Sequence, residues 1–486
     1  MFDVNEKDRH FSYILRIMTN IHSYLVTLVG EKTVLSEEEE DEASSSSVED
    51  DDGKWVTFVK GEDGFLYGIP HGARRVVKFN PIDNSMELIG PVLVGQDWMC
   101  GVLLAKNGII YCPPHYFNEK MLKISTIDST VEEIDVVIDV WLEYNAAWLS
   151  GAVGLDECIY YMPVQSQYIL RLDPSNDTLS FITMPRELQP FPPSGEFCAI
   201  RWEQSHDVRG TVRGKDNCIY GLPRNYKGRV VRFDPIEPGN ISYFKQYDDF
   251  DSGFISGGVL GSDGNIYGLN HFDQVLKVDT SARTVRPIGE RHPLNSKVHG
   301  QMAGDPIIGP DQCIYWPPAM RNQVVKFDPA VKQLPWFLVL GERFGLGCGW
   351  HGGALANDGV IYCPPLSPKQ DQVLAIDPWK SLRVAMNESM ILHPEDLGRL
   401  FVQKGVFCRE SLFDSIVRKF GHDRAYHLLD ECLPSDDEWA EHGASDCLPL
   451  FMVAASSSDD EAPLGVIYHL VRRNTHGLLK VPNLRD

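Results

Sequence analysis

The stretch GSDGNIYGLNHFDQVLKVDT at positions 261–280 returns as GPDQCIYWPPAMRNQVVKFDP at 309–329 and as ANDGVIYCPPLSPKQDQVLAIDP at 356–378. Centred on its tyrosine, the pattern occurs seven times, at Tyr67, Tyr111, Tyr160, Tyr220, Tyr267, Tyr315 and Tyr362, with spacings of 44, 49, 60, 47, 48 and 47 residues. Four residues before each tyrosine stands Asp63, Asn107, Asp156, Asp216, Asp263, Asp311 or Asp358, followed by Gly in four of the seven copies. An Asp-Gly or Asn-Gly pair between two apolar runs predicts a tight hairpin, with positive φ expected at both central residues of a type I′ turn. Pro follows the tyrosine at the third position in six copies, and a second run ends twelve to fifteen residues on in Asp, Asn or Ser. Proline withholds a ladder donor, so it delimits both runs. With the Gly-containing run before the turn (GGVLG, 257–261) and a third run after it (MELIG, 86–90; TVRPIG, 284–289), each copy supplies four short strands.

Four strands in about 40 to 50 residues, written repeatedly, predict an all-β fold of the β-propeller kind, here with seven blades. A single blade has two apolar faces and no means of covering them. A closed ring sandwiches each blade between two neighbours, which explains why the run around each tyrosine is apolar throughout instead of alternating. The DGxIY…VxxxDP pattern resembles the propellers of the virginiamycin B lyase type and the gluconolactonase type over residues 54–386. The lyase-type resemblance implies the same fold and lends no catalytic residue. The gluconolactonase type places carboxylate and Asn metal ligands in its channel, and no residues here match them one by one. The chain lacks the regular Trp-Asp endings of WD repeats and the recurrent Gly-Gly doublets of kelch repeats.

Outside the ring, which is expected over 54–390, residues 1–53 divide in two. Ile14, Met18, Ile21, Leu25 and Leu28 fall on one face of an expected helix over 10–29. The following run, 36–52, holds ten acidic residues and no basic one, and reads as a solvated linker. Beyond Asn387 the hairpin signals stop. Residues 391–486 take helical spacing, and LPLFMVAASSSDDEAPLGVIYHLVRRN (448–474) resembles an ankyrin-type helix pair, implying a small helical interaction module. The net charge of −23 and the absence of a basic cluster speak against nucleic acid as a partner. No apolar run of membrane-spanning length occurs, so no membrane partner is expected, and eleven scattered cysteines without a CxxC pair suggest reduced thiols and a cytoplasmic location.

The connections between blades are long and aromatic, and binding function concentrates on long loops held by rigid strands. Trp98, Trp141, Trp148, Trp202 and Trp350, with Arg209 and His351, are therefore candidates for binding a protein or peptide partner, with at least two of the indoles expected to be partly exposed around the channel. His299, Asp305 and His351 precede the innermost strands of adjacent blades and form a candidate catalytic group, since a His beside a carboxylate can move protons; Trp350 would cover a planar ligand there. His71, His115 and His271 share one repeat position but come from blades too far apart to ligate one ion, so neither a metal nor any other cofactor is expected. There is no P-loop, GxSxG or HExxH motif. Two functions follow as expectations: an interaction or scaffold protein using the crossing loops and the helical module, or a propeller enzyme of lyase or lactonase type acting on a small molecule at the channel mouth.

Overall fold

The computed structural model describes residues 26–30, 54–93, 98, 103–104, 106–114, 120–136, 148–164, 166–185, 208–223, 229–245, 254, 256–270, 274–288, 304–320, 322–329, 337–340, 344, 349–367 and 370–378. They form seven four-stranded antiparallel sheets, the blades of a propeller. Blade one runs Trp55–Lys60, Leu66–Pro70, Val76–Phe79 and Met86–Ile89 from the channel outward. Blades two to six repeat this order over 103–135, 148–183, 208–245, 259–288 and 307–340. The second strand is buried at every residue in six blades, as in Leu66–Pro70, Ile159–Pro163 and Ile219–Pro223, and in blade two at all but Ile109, because both of its faces are covered by sheets. Apolar clusters join neighbouring blades: Val76 and Ile69 pack with Ile110 and Leu122, and Tyr160 and Ile169 with Ile219 and Val231.

Blade seven is assembled from both ends of the ring. Ala354–Leu355, Ile361–Cys363 and Val373–Ile376 supply three strands, and Val26–Val29 adds the fourth, with Val26 opposite Ile376 and Val29 opposite Val373. This corrects the expected helix over 10–29 at its end: Leu28 lies in a strand, where the unpaired edge of Val373–Ile376 gives four backbone residues ladder partners. The remainder of that expected helix, the acidic run and the whole segment 391–486 with its ankyrin-like pair lie outside the described residues. The chain divides into two units, Leu25–Asp377, which is the propeller, and Met1–Tyr24 with Pro378–Asp486.

The repeated Asp and Tyr are a bracket around the first turn. Tyr67, Tyr160, Tyr220, Tyr267, Tyr315 and Tyr362 donate their hydroxyls to Oδ2 of Asp63, Asp156, Asp216, Asp263, Asp311 and Asp358 at 2.7–2.9 Å. Oδ1 of the same Asp accepts the backbone N–H two residues on, as Asp263 does from Asn265 at 3.1 Å. The turn is therefore not of the expected I′ form. Each Asp keeps a negative φ, and only the residue after it is left-handed: Gly64, Gly108, Gly264 and Gly359, but also Glu157, Asn217 and Gln312. The Asp side chain fixes the turn, so a single left-handed position suffices, as in three-residue hairpin loops.

Candidate functional site

Register along the tyrosine strands shows which residues of different blades are equivalent. Val59, Val212 and Ala354 lie opposite Tyr67, Tyr220 and Tyr362, so Val56, Arg209 and His351, each eleven residues before its tyrosine, occupy one repeat position at the start of the innermost strand. Blade four is irregular here. Val208 faces Pro223 and Gly210 faces Leu222, which leaves Arg209 as the extra residue of a β-bulge. Blades one and three shift register at the same place, between Trp55 and Thr57 and between Trp148 and Gly151, so the bulge belongs to the repeat; Val56 is fully buried there and Arg209 half-buried. Its guanidinium Nη2 lies 3.2 Å from Nε2 of His351, although the two come from blades four and seven.

Asp305 supplies the third group from blade six. Its backbone N–H donates to the His351 carbonyl at 2.6 Å, and its Oδ1 accepts the N–H of Gly257 at 2.8 Å, tying blades five, six and seven at one carboxylate. Oδ2 faces Nδ1 of His351 at 3.7 Å. This approach requires Gly304, where a Cβ would stand 2.0 Å from the His351 carbonyl oxygen. A guanidinium can only donate, so Nε2 of His351 is the acceptor and Nδ1 carries the proton toward Asp305. His351 is 6 % exposed. Burial pushes its pKa down to about 4, reinforced by Arg209 and His71 and opposed by Asp305, so the imidazole is neutral at neutral pH. His71 thereby belongs to the surroundings of this group, at a place that its repeat position alone did not reveal.

The tryptophans have a different role from the one expected. Trp98, Trp148 and Trp350 are fully buried, as is Trp55. Each donates its indole N–H to a backbone carbonyl at the start of a third strand: Trp55 to Arg75, Trp98 to Lys120, Trp148 to Tyr168 and Trp350 to Gln372, at 2.9–3.1 Å. Trp350 also packs on Phe344, with ring centroids 5.0 Å apart, and its full burial leaves no exposed face for the planar ligand expected there. A buried ring holding its one polar atom against the third strand of its own blade is a core element, so these three indoles offer no surface to a partner. Trp141, Trp202, His299, His115 and His271 lie outside the described residues. Among the described residues no three His, Cys, Asp or Glu side chains are grouped to hold a metal ion.

Sequence position groups His351 with Asp305 and puts Arg209 on the crossing face, but it does not show that Arg209 reaches His351. The signal was available as a shared distance of eleven residues to the blade tyrosine, but it becomes meaningful only when opposite blades face one channel.

No family model matches the chain, and no curated protein matches its sequence. Among solved structures it is similar to virginiamycin B lyase from Staphylococcus aureus. A catalytically inactive histidine-to-alanine variant of that lyase, with quinupristin, aligns at 12 % identity and a TM-score of 0.53, covering 72 % of this chain and 98 % of that one. The selenomethionine-substituted lyase gives 14 % and 0.52 over 72 % and 98 %, and a streptogramin B lyase 13 % and 0.51 over 72 % and 97 %. At such identities the likeness is one of fold: a seven-bladed β-propeller with structural neighbours of the virginiamycin B lyase type.

Proposed function

We propose that the chain is a propeller enzyme that removes a proton from a small ligand held in the channel, in a reaction of the elimination kind. The observation that carries this reading is the meeting of Arg209 with His351 across the ring, beside Asp305. His351 offers a neutral imidazole, the form a general base requires, and the Asp305 carboxylate 3.7 Å away favours the proton on Nδ1 by its charge. In the step envisaged, Nε2 takes a proton from the carbon next to a carbonyl. The electron pair moves to the carbonyl oxygen, where Arg209 stabilises the negative charge. It then returns to expel a leaving group from the adjacent carbon, forming a C=C bond, and the imidazolium gives its proton to that group. The lyase neighbours support this reading only at the level of fold.

The rival reading, a scaffold that captures a protein or peptide on the crossing loops, loses three of its five indoles to the blade cores and retains Trp141 and Trp202. The two readings separate in one experiment. The full chain is incubated in D2O with a panel of small carbonyl compounds, cyclic esters and quinupristin, and followed by NMR. Deuterium incorporation or alkene formation that falls about 100-fold or more in His351→Asn supports the enzyme, a loss typical of removing a general base. No turnover, or turnover that His351→Asn leaves unchanged, sinks it and leaves partner capture as the better account.

A further inference from the structure

We infer that Arg209 is the binding residue for a carboxylate group on the ligand, so that the channel takes small monoanions. This rests on the channel being the working site and goes further, to the chemical class of what enters it.

Opposite the blade tyrosine, six of the seven blades carry a cation on the third strand. Lys78, Lys123, Arg171, Arg232, Lys277 and Lys326 stand on third strands, and each pairs with an Asp within 4 Å. Arg209 is different. It is half-buried in the channel, and among the described residues its one polar partner is the uncharged imidazole of His351. A guanidinium carries five donors in a planar fork, and a single imidazole nitrogen uses one of them. A partly desolvated cation that lacks a carboxylate partner favours an anion with two acceptor oxygens side by side, which is the geometry of a carboxylate. Charge selects further. Arg209 with Asp305 and a neutral His351 sums to zero, so a monoanion brings the group to −1 and a dianion to −2, and the second charge of a phosphate dianion is repelled by the Asp305 carboxylate 3.7 Å from the imidazole it must approach. Engagement of Arg209 by the anion also takes the guanidinium away from Nε2, freeing the acceptor atom at the moment the ligand arrives.

Among the described residues, the charged and titratable groups acting on His351 are Arg209, Asp305 and His71. When an anion offsets the Arg209 charge, the depression of the imidazole pKa lessens, which is visible in the nitrogen spectrum of 15N-histidine-labelled full-length protein. The probes are acetate, its neutral isostere acetamide, and inorganic phosphate, titrated at pH 7. Acetate should bind saturably and shift the His351 Nε2 resonance, with acetamide producing no such shift and phosphate binding more weakly than acetate. Arg209→Gln should weaken acetate about ten-fold or more, the usual scale for losing charge-assisted hydrogen bonds; Arg209→Lys, which keeps the charge and loses the fork, should fall between. Equal responses to acetate and acetamide, no response to acetate, or undiminished binding by a folded Arg209→Gln protein would overturn the assignment. Failure here with turnover intact removes the carboxylate and leaves the acid–base reading standing. Acetate binding through Arg209 without any turnover does the reverse.

Discussion

At the scale of single residues, the repeated Asp and Tyr and the solitary His351 use the same physics to opposite ends. Burial pushes the Asp263 carboxyl up, but hydrogen bonds from Tyr267 and Asn265 and the charge of Lys277 outweigh it and hold it below the usual range, as Tyr220 and Arg232 do for Asp216. His351 lies in the opposite regime, where burial disfavours the charge and Asp305 at 3.7 Å compensates only in part. Its pKa falls from 6.5 unfolded to about 4 folded, so between those values the unfolded chain binds the proton and the folded one does not. Stability contributed by the neutral imidazole is therefore complete above about pH 6.5 and declines as pH falls toward 4, by up to roughly 3 kcal/mol. Denaturant midpoints from pH 7 to pH 4.5 should drop more steeply for the natural chain than for His351→Gln; parallel curves would show that this histidine is not held neutral. The Asp–Tyr pairing could be read directly from spacing, because both members lie within one hairpin. The cation that completes it could not, since Lys78 or Arg171 reaches its Asp only once the third strand is laid beside the second, with Tyr67 opposite Lys78 and Tyr160 opposite Arg171.

At the scale of elements, four features of one blade were legible: two-sided apolar runs, Asp turns, stopping prolines and a unit length suited to four strands. Blade two shows how far the pattern tolerates change. Asn107 stands where the others have Asp, and Tyr111 donates instead to Asp177 of the next blade, which also pairs with Lys123. The least legible element is Val26–Val29, because nothing in four residues of VTLV distinguishes a lone edge strand from the end of an amphipathic helix, and the 4-3-4-3 apolar spacing favoured the helix. Its place is decided by a partner some 350 positions away. Val26 is buried with Leu340, Trp350 and Ile376, so the strand contributes apolar burial as well as ladder hydrogen bonds. Comparing chains that begin at residue 25 and at residue 31 should reveal a difference of roughly 3–5 kcal/mol in unfolding free energy, the sum of one buried valine and a few backbone hydrogen bonds. Equal thermal midpoints would mean that blade seven is stable with three strands.

At the scale of the whole molecule, closure changes where the propeller begins. A fragment covering 54–386 omits the closing strand, whereas 25–378 contains all seven complete blades. The fragment 25–378 should unfold in one cooperative transition and retain the acetate response of His351, because Arg209, Asp305 and His351 all lie within it; a multistep transition or a lost response would show that residues beyond it complete the ring or the channel. The number of blades, the hairpins and the apolar second strands were determined by the sequence alone, since each depends on contacts within about 15 residues and repeats seven times over. The burial of Trp98, Trp148 and Trp350, the closing of blade seven and the meeting of Arg209 with His351 were decided only by the tertiary structure. These depend on ring curvature and on pairs separated by 142 residues in the case of Arg209 and His351, and periodicity within a blade carries no information about which side chains face one another across the channel.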